Sequence, residues 1–154
     1  MSLQIIPYEP IHANAFKKLN IEWIQKYFHV ESKDSELLEN CEESIINPGG
    51  FIFMAIYKNK TVGCFSFIIM KDGSYELGKM AVDQDYQGLK IGQQLLEFAI
   101  NFAQEKKWPK ILLYSSTKLD TALHIYKKYG FVEIPIENNL PYVRSDVKME
   151  LVLV

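Results

Sequence analysis

The feature that most constrains this chain is a change of apolar period at Asn47-Pro48-Gly49-Gly50. Before it, Ile11, Ala15, Leu19, Trp23 and Tyr27 recur every four residues, and Leu37, Leu38, Cys41, Ile45 and Ile46 form a second stripe. A repeat near 3.6 puts such residues on one face of a helix, which predicts two amphipathic helices packed on something flat. Ser32, Asp34 and Ser35 are candidate caps of the second helix. After the Pro-Gly break, Phe51 to Tyr57, Thr61 to Met70 and Ser74 to Val82 are continuous or alternating in apolar residues, as strands are. Lys58-Asn59-Lys60 and Asp72-Gly73 separate them, which predicts an antiparallel meander.

Helical period returns at Ile91, Leu95, Phe98, Ala99, Phe102 and Ala103. Ile111 to Ser115 reads as a strand, and Leu119, Ala122, Leu123, Tyr126 and Tyr129 as a last helix closed by Gly130. Leu3 to Ile6 is a first strand stopped by Pro7, which cannot donate to a ladder. Phe131 to Ile134 and Arg144 to Leu153 complete the β content around a loop from Pro135 to Pro141. At 154 residues, without linker or repeat, the order predicts one α/β (α+β) domain over residues 1–154. Its sheet is mostly antiparallel, mixed and seven-stranded, flanked by about four helices.

Charge narrows the function. Seventeen basic against 19 acidic residues leave a net charge of −2, so no global positive field draws the chain to nucleic acid or anionic membranes. No apolar run approaches the roughly 20 residues of a membrane helix, and the first residues lack the pattern of a signal peptide. A soluble, cytoplasmic protein is predicted. Cys41 and Cys64 read as buried reduced thiols, and His12, His29 and His124 are too scattered for a metal site, so no metal is expected.

Chemistry concentrates between Tyr75 and Gln104. A strand ends near Val82, a polar loop follows, and Gln87, Gly88, Leu89, Lys90, Ile91 and Gly92 open a long helix. A helix N-terminus presents unpaired N–H groups and a positive dipole end, and glycines admit a ligand close to the backbone, so an anion such as phosphate suits this place. The stretch is not a P-loop, because Gln93 and Gln94 stand where Lys and Ser/Thr would be. Nor is it a dinucleotide fingerprint, which belongs in a βαβ unit. Ser116, Asp120 and His124 are spaced by four, but no Gly-x-Ser-x-Gly elbow accompanies them.

The same stretch resembles the GNAT superfamily, the Gcn5-related N-acetyltransferases, whose signature Gln/Arg-x-x-Gly-x-Gly/Ala is met at Gln87 and Gly92. It departs at Lys90, where the family usually has its first glycine. Ile125-Tyr126-Lys127-Lys128-Tyr129-Gly130-Phe131 is similar to the family's Leu-Tyr-x-x-x-Gly-Phe, and Gly49-Gly50-Phe51 fits the start of one of its strands.

The resemblance implies an acetyltransferase that uses acetyl-CoA as co-substrate and acetylates a primary amine of a small molecule or peptide by direct attack in a ternary complex. The amides of Gln87 to Gly92 would cradle the pyrophosphate, and the strand edge at Met80, Ala81 and Val82 would pair with the pantetheine arm. Ser116, near the place of a family asparagine, is a further coenzyme contact, and Lys127 and Lys128 could approach the 3′-phosphate. Lys90 is expected to be helical. Tyr126 holds the family's position for the group that assists the departing thiolate, which makes it both a catalytic and a coenzyme residue.

An amine base is also needed, because an ammonium has no lone pair with which to attack. Glu76 is proposed for it, and period two puts it on one face with Gly78, Met80 and Val82. The acceptor pocket is expected from Trp23, Tyr27, Phe28 and Glu31 and from the loop around Asn138, Asn139, Tyr142 and Arg144. Arg144 could there recognise a carboxylate. A homodimer is compatible with these readings. The alternative is a coenzyme-binding sensor or partner module of the same fold without turnover.

Overall fold

The computed structural model describes residues 3–153. Seven strands form one sheet in the order β1-β2-β3-β4-β5-β7-β6. They are β1 Gln4–Pro7, β2 Phe51–Tyr57, β3 Lys60–Ile69, β4 Tyr75–Val82, β5 Lys110–Ser115, β6 Val132–Ile134 and β7 Val147–Val152. Neighbours pair antiparallel except β4 and β5, which are parallel and joined by a helical crossover. The α-helices are α1 Ala13–Tyr27, α2 Ser32–Glu39, α3 Ile91–Glu105 and α4 Asp120–Lys128.

Both faces of the sheet are covered, which is why the central strands are apolar almost throughout. On one face α1 and α2 bury Phe16, Leu19, Ile24 and Leu37 against Met54 and Cys64. On the other, α3 buries Leu95, Leu96 and Ala99 against Phe53, Phe65 and Phe67, and Tyr126 of α4 packs on the same cluster. Alternation along β2 and β3 sorts these residues between the two layers.

The second apolar stripe is not one helix. Asn40 leaves helical geometry at φ −133° and ψ 61°, and a wider turn over Glu42–Ile46 follows, with Asn47 N–H donating to Glu42 O at 2.7 Å. Cys41 and Ile45 still reach the same core. At Gly50 the chain passes so close to its neighbours that a Cβ would stand 2.5 Å from the carbonyl oxygens of Ile45 and Phe67. The last strand begins at Val147 and not at Arg144, because the preceding side chains are held elsewhere. Asp146 accepts from the N–H and Oγ1 of Thr117, each at 2.8 Å, while Arg144 turns to α2.

Two irregularities of β4 create the site. First, Ser66 pairs with Gly78 and Cys64 with Ala81, so Lys79 and Met80 together oppose Phe65. This is a β-bulge, with Lys79 in the left-handed region at φ 52°. The bulge shifts the alternation by one residue. Met80 and Val82 therefore join Tyr75 and Leu77 on the α3 side, whereas Glu76, opposite Ile68, faces α1, contrary to the period-two expectation. Second, β4 and β5 pair only at Tyr75–Ile111 and Glu76–Leu112 and then diverge, which frees the β4 edge beyond Glu76.

Candidate active site

The loop before α3 is built by short-range bonds. Asp83 Oδ1 accepts from Asp85 N–H at 2.9 Å and starts a single tight turn over Gln84–Tyr86. Gln87 is then extended, Gly88 sits at φ 87°, and Lys90 at φ 57°, ψ 29°. Lys90 is thus not helical as expected from the sequence; it holds the left-handed conformation that a glycine would adopt freely, at a cost of about 1–2 kcal/mol. The helix starts immediately after it, and among the described residues the N–H groups of Ile91, Gly92 and Gln93 have no backbone carbonyl partner. They and the helix dipole make this end attractive to an anion.

These amides open on a cleft of about 480 Å³ that runs between α3 and α4 along the free β4 edge. Of the coenzyme residues anticipated from the sequence, Met80, Val82, Gln87, Gly88, Lys90, Ile91, Gly92 and Tyr126 line it. The others do not. Ala81 points its side chain into the core on the opposite face, Leu89 is 47% exposed outside the cleft, and Ser116 lies in the adjoining pocket, its Oγ accepting from Lys118 N–H at 3.1 Å. Lys127 and Lys128 stand on an exposed surface away from the cleft, whose basic side chains are Lys90 and Lys118.

A second cavity, of about 130 Å³, fills the gap where β4 and β5 part. Trp23, Phe28, Tyr142 and Arg144 line it, as the sequence suggested. Asn138 and Asn139 do not, and Tyr27 and Glu31 belong to a neighbouring groove. Glu76 faces this cavity with its carboxylate lying over Gly78, where a Cβ would be 3.3 Å from Oε2. Burial pushes the Glu76 carboxyl up to about 7, and the nearby Lys79 offsets part of that. Tyr126 borders both cavities, so the phenol stands where the two meet. Burial raises its pKa above the usual tyrosine value.

Behind the cavity wall lies a charge cluster that the sequence did not reveal. Asp34, wholly buried, accepts Lys79 Nζ at 2.6 Å, both terminal nitrogens of Arg144 at 2.7 Å, and Glu31 N–H at 2.9 Å. Burial pushes this carboxyl up, but the bonds from Arg144 and Lys79 outweigh it and hold it at about 2. Tyr142 lays its ring over both cations, 4.8 Å from Lys79 Nζ and 4.4 Å from Arg144 Cζ. Arg144 is thus engaged by Asp34 and does not stand free to receive a carboxylate. The one available signal was a lysine amid the apolar run of β4, and it is legible only once the bulge is known.

The fold is that of the GNAT-family acetyltransferases. Residues 48–133 match the family model of the acetyltransferase (GNAT) domain, and the chain belongs to that family. It is 33% identical over 79 residues to an uncharacterized N-acetyltransferase of Dictyostelium discoideum, a match covering 47% of this chain and 37% of that one. Among solved structures, a GNAT-family acetyltransferase from Staphylococcus aureus Mu50 superposes with a TM-score of 0.86 at 26% identity, over 99% of this chain and 100% of that one. PaiA N-acetyltransferase from Thermoplasma acidophilum, solved in complex with coenzyme A, shares the fold at a TM-score of 0.75 and 18% identity, over 99% of each chain.

Among the described residues no group of His, Cys, Asp and Glu could hold a metal ion, and no helix is long and apolar enough to cross a membrane.

Proposed function

We propose that this chain transfers an acetyl group from acetyl-CoA to a primary amine by direct attack, both substrates being bound together. The observation that carries the reading is the meeting of two cavities at Tyr126, one floored by unpaired helix amides and a free strand edge, the other holding Glu76. The residues present fit the coenzyme: Ile91 to Gln93 offer N–H groups to a pyrophosphate, and β4 beyond Glu76 offers an unpaired edge to an amide-bearing arm. Acetyl-CoA supplies the thioester carbonyl.

Glu76, ionised above about pH 7, takes a proton from the bound ammonium. The freed amine nitrogen bonds to the thioester carbon, the carbon–sulfur bond breaks, and the electron pair leaves with sulfur. Tyr126 donates a hydrogen bond to that sulfur. Full proton transfer is uphill, because a phenol near 10 is already less acidic than a thiol near 8.5 and burial raises Tyr126 further. The acylated nitrogen sheds its remaining extra proton, which reaches the thiolate through solvent, and Glu76 returns the proton it took to solvent.

The test is thiol release from acetyl-CoA with a panel of amines, run on the wild type and on Tyr126→Phe, with acetyl-CoA binding measured alongside. We expect release that depends on the amine, and a Phe variant that binds acetyl-CoA unchanged but turns over at least about tenfold more slowly. Intact binding with silence across the panel would instead favour a coenzyme-binding module without turnover.

A further inference from the structure

Resting on the acetyl-transfer reading, we propose that the acceptor is a small amine with one positive charge on an apolar or aromatic body, and that Asp34 sets this preference by neutralising the pocket's own cations. Lys79 and Arg144 both line the cavity, with side chains only 6% and 14% exposed. Asp34 stands behind them and accepts from both, and Glu31 adds a second carboxylate 3.3 Å from Arg144. Two cations thus meet two anions, and the wall is close to neutral as seen from the cavity.

Among the described residues Glu76 is the one carboxylate lining the cavity. A single ammonium can pair with it. A second ammonium on the same molecule would find no further carboxylate there and would lose its hydration against a neutral wall without gaining a partner. A carboxylate on the acceptor is also disfavoured, because the ring of Tyr142 covers both cations and its hydroxyl already accepts from Lys79 Nζ at 3.1 Å. What the cavity offers instead is aromatic surface from Trp23, Phe28 and Tyr142. Its volume of about 130 Å³ is near the roughly 150 Å³ that holds a benzene ring.

Matched pairs of amines test this, because a purely structural defect lowers both members of a pair alike. Thiol release would be followed with butylamine against 1,4-diaminobutane, and with 2-phenylethylamine against phenylalanine. In the wild type we expect kcat/KM for butylamine and for 2-phenylethylamine to exceed that of the partner bearing a second charged group by about tenfold or more. Asp34→Asn keeps the shape but removes the charge, leaving the two cations in excess, and should shift the second ratio toward phenylalanine by about tenfold. Lys79→Met removes one cation and should shift the first ratio toward the diamine, so the role of Asp34 stays testable if its own variant does not fold.

A wild type that prefers the diamine or the amino acid overturns the proposed acceptor class while leaving acetyl transfer intact. Ratios unmoved in both variants overturn the role of Asp34. Silence toward every amine, with acetyl-CoA still bound, removes the transfer reading and this inference with it.

Discussion

Replacing Glu76 by glutamine should make the protein more stable and less active, with both effects following pH. The carboxyl titrates near 4.5 when free and near 7 in the fold because it is buried between β3, β4 and β5. At 1.36 kcal/mol per pH unit, the difference sets a ceiling of about 3 kcal/mol on the cost of holding it ionised. Part of the group stays open to the cavity, so we expect about 1–2 kcal/mol after solvent screening.

The sign follows from the raised value. The folded state binds the proton more tightly, so Glu76 costs nothing below pH 4.5, costs progressively more as pH rises through about 7, and is constant above. Urea unfolding at pH 4 and pH 8 measures this, and the stabilising effect of the substitution should appear only at pH 8. Activity should run the other way. kcat/KM of the wild type should fall about tenfold per pH unit below pH 7 as the base is protonated, and the variant should lose that limb together with about 10²–10⁴ in rate. Lys79, Lys33, Lys148 and Glu137 also act on this carboxyl, so high salt should move the limb modestly. A variant with the same acidic limb as the wild type, or one less stable at pH 8 than at pH 4 relative to it, refutes the reasoning.

Two further substitutions test backbone geometry away from the base. Lys90→Gly relieves a left-handed residue at φ 57°, worth about 1–2 kcal/mol less the 0.5–1 kcal/mol of added chain entropy; thermal unfolding should show a small gain. Calorimetry should find acetyl-CoA affinity changed by less than about tenfold, because the strain is present before the ligand arrives, and a drop in stability counts against the assigned conformation. Gly50→Ala forces a Cβ to within 2.5 Å of two carbonyl oxygens. It should cost more than about 2 kcal/mol by denaturant unfolding, and an unaltered midpoint would show that the strand start yields easily.

Much of the fold was legible because its signals are local. The strand start at Phe51, a third strand ending at Val82 and begun one residue later than read, at Tyr75, and the start of α3 at Ile91 follow from apolar period and turn residues a few positions away. The tight entry to α3 at Gln87, Gly88 and Gly92 was legible for the same reason, since glycines before a helix leave a local trace. Where sequence reasoning failed, the cause was non-local. Met80 and Val82 were wrongly put on the face of Glu76 because a bulge is a property of pairing with β3, and Lys90 adopts a conformation its residue type does not advertise. Asp34 looked like a cap, and it does accept from Glu31 N–H, but its other partners lie 45 and 110 residues away.

By itself, then, the sequence determined the order of helices and strands, the two-sided apolar strands that demand layers on both faces, and the helix start able to meet an anion. Only tertiary structure decided where β4 and β5 part, that Glu76 and Tyr126 look into the same cavity, and that the pocket's two cations are answered by a buried carboxylate. The physical reason is range. Periodicity and capping act within a few residues, whereas the desolvation of Glu76 and the neutralisation of Lys79 and Arg144 arise from groups that become neighbours only when the sheet has closed.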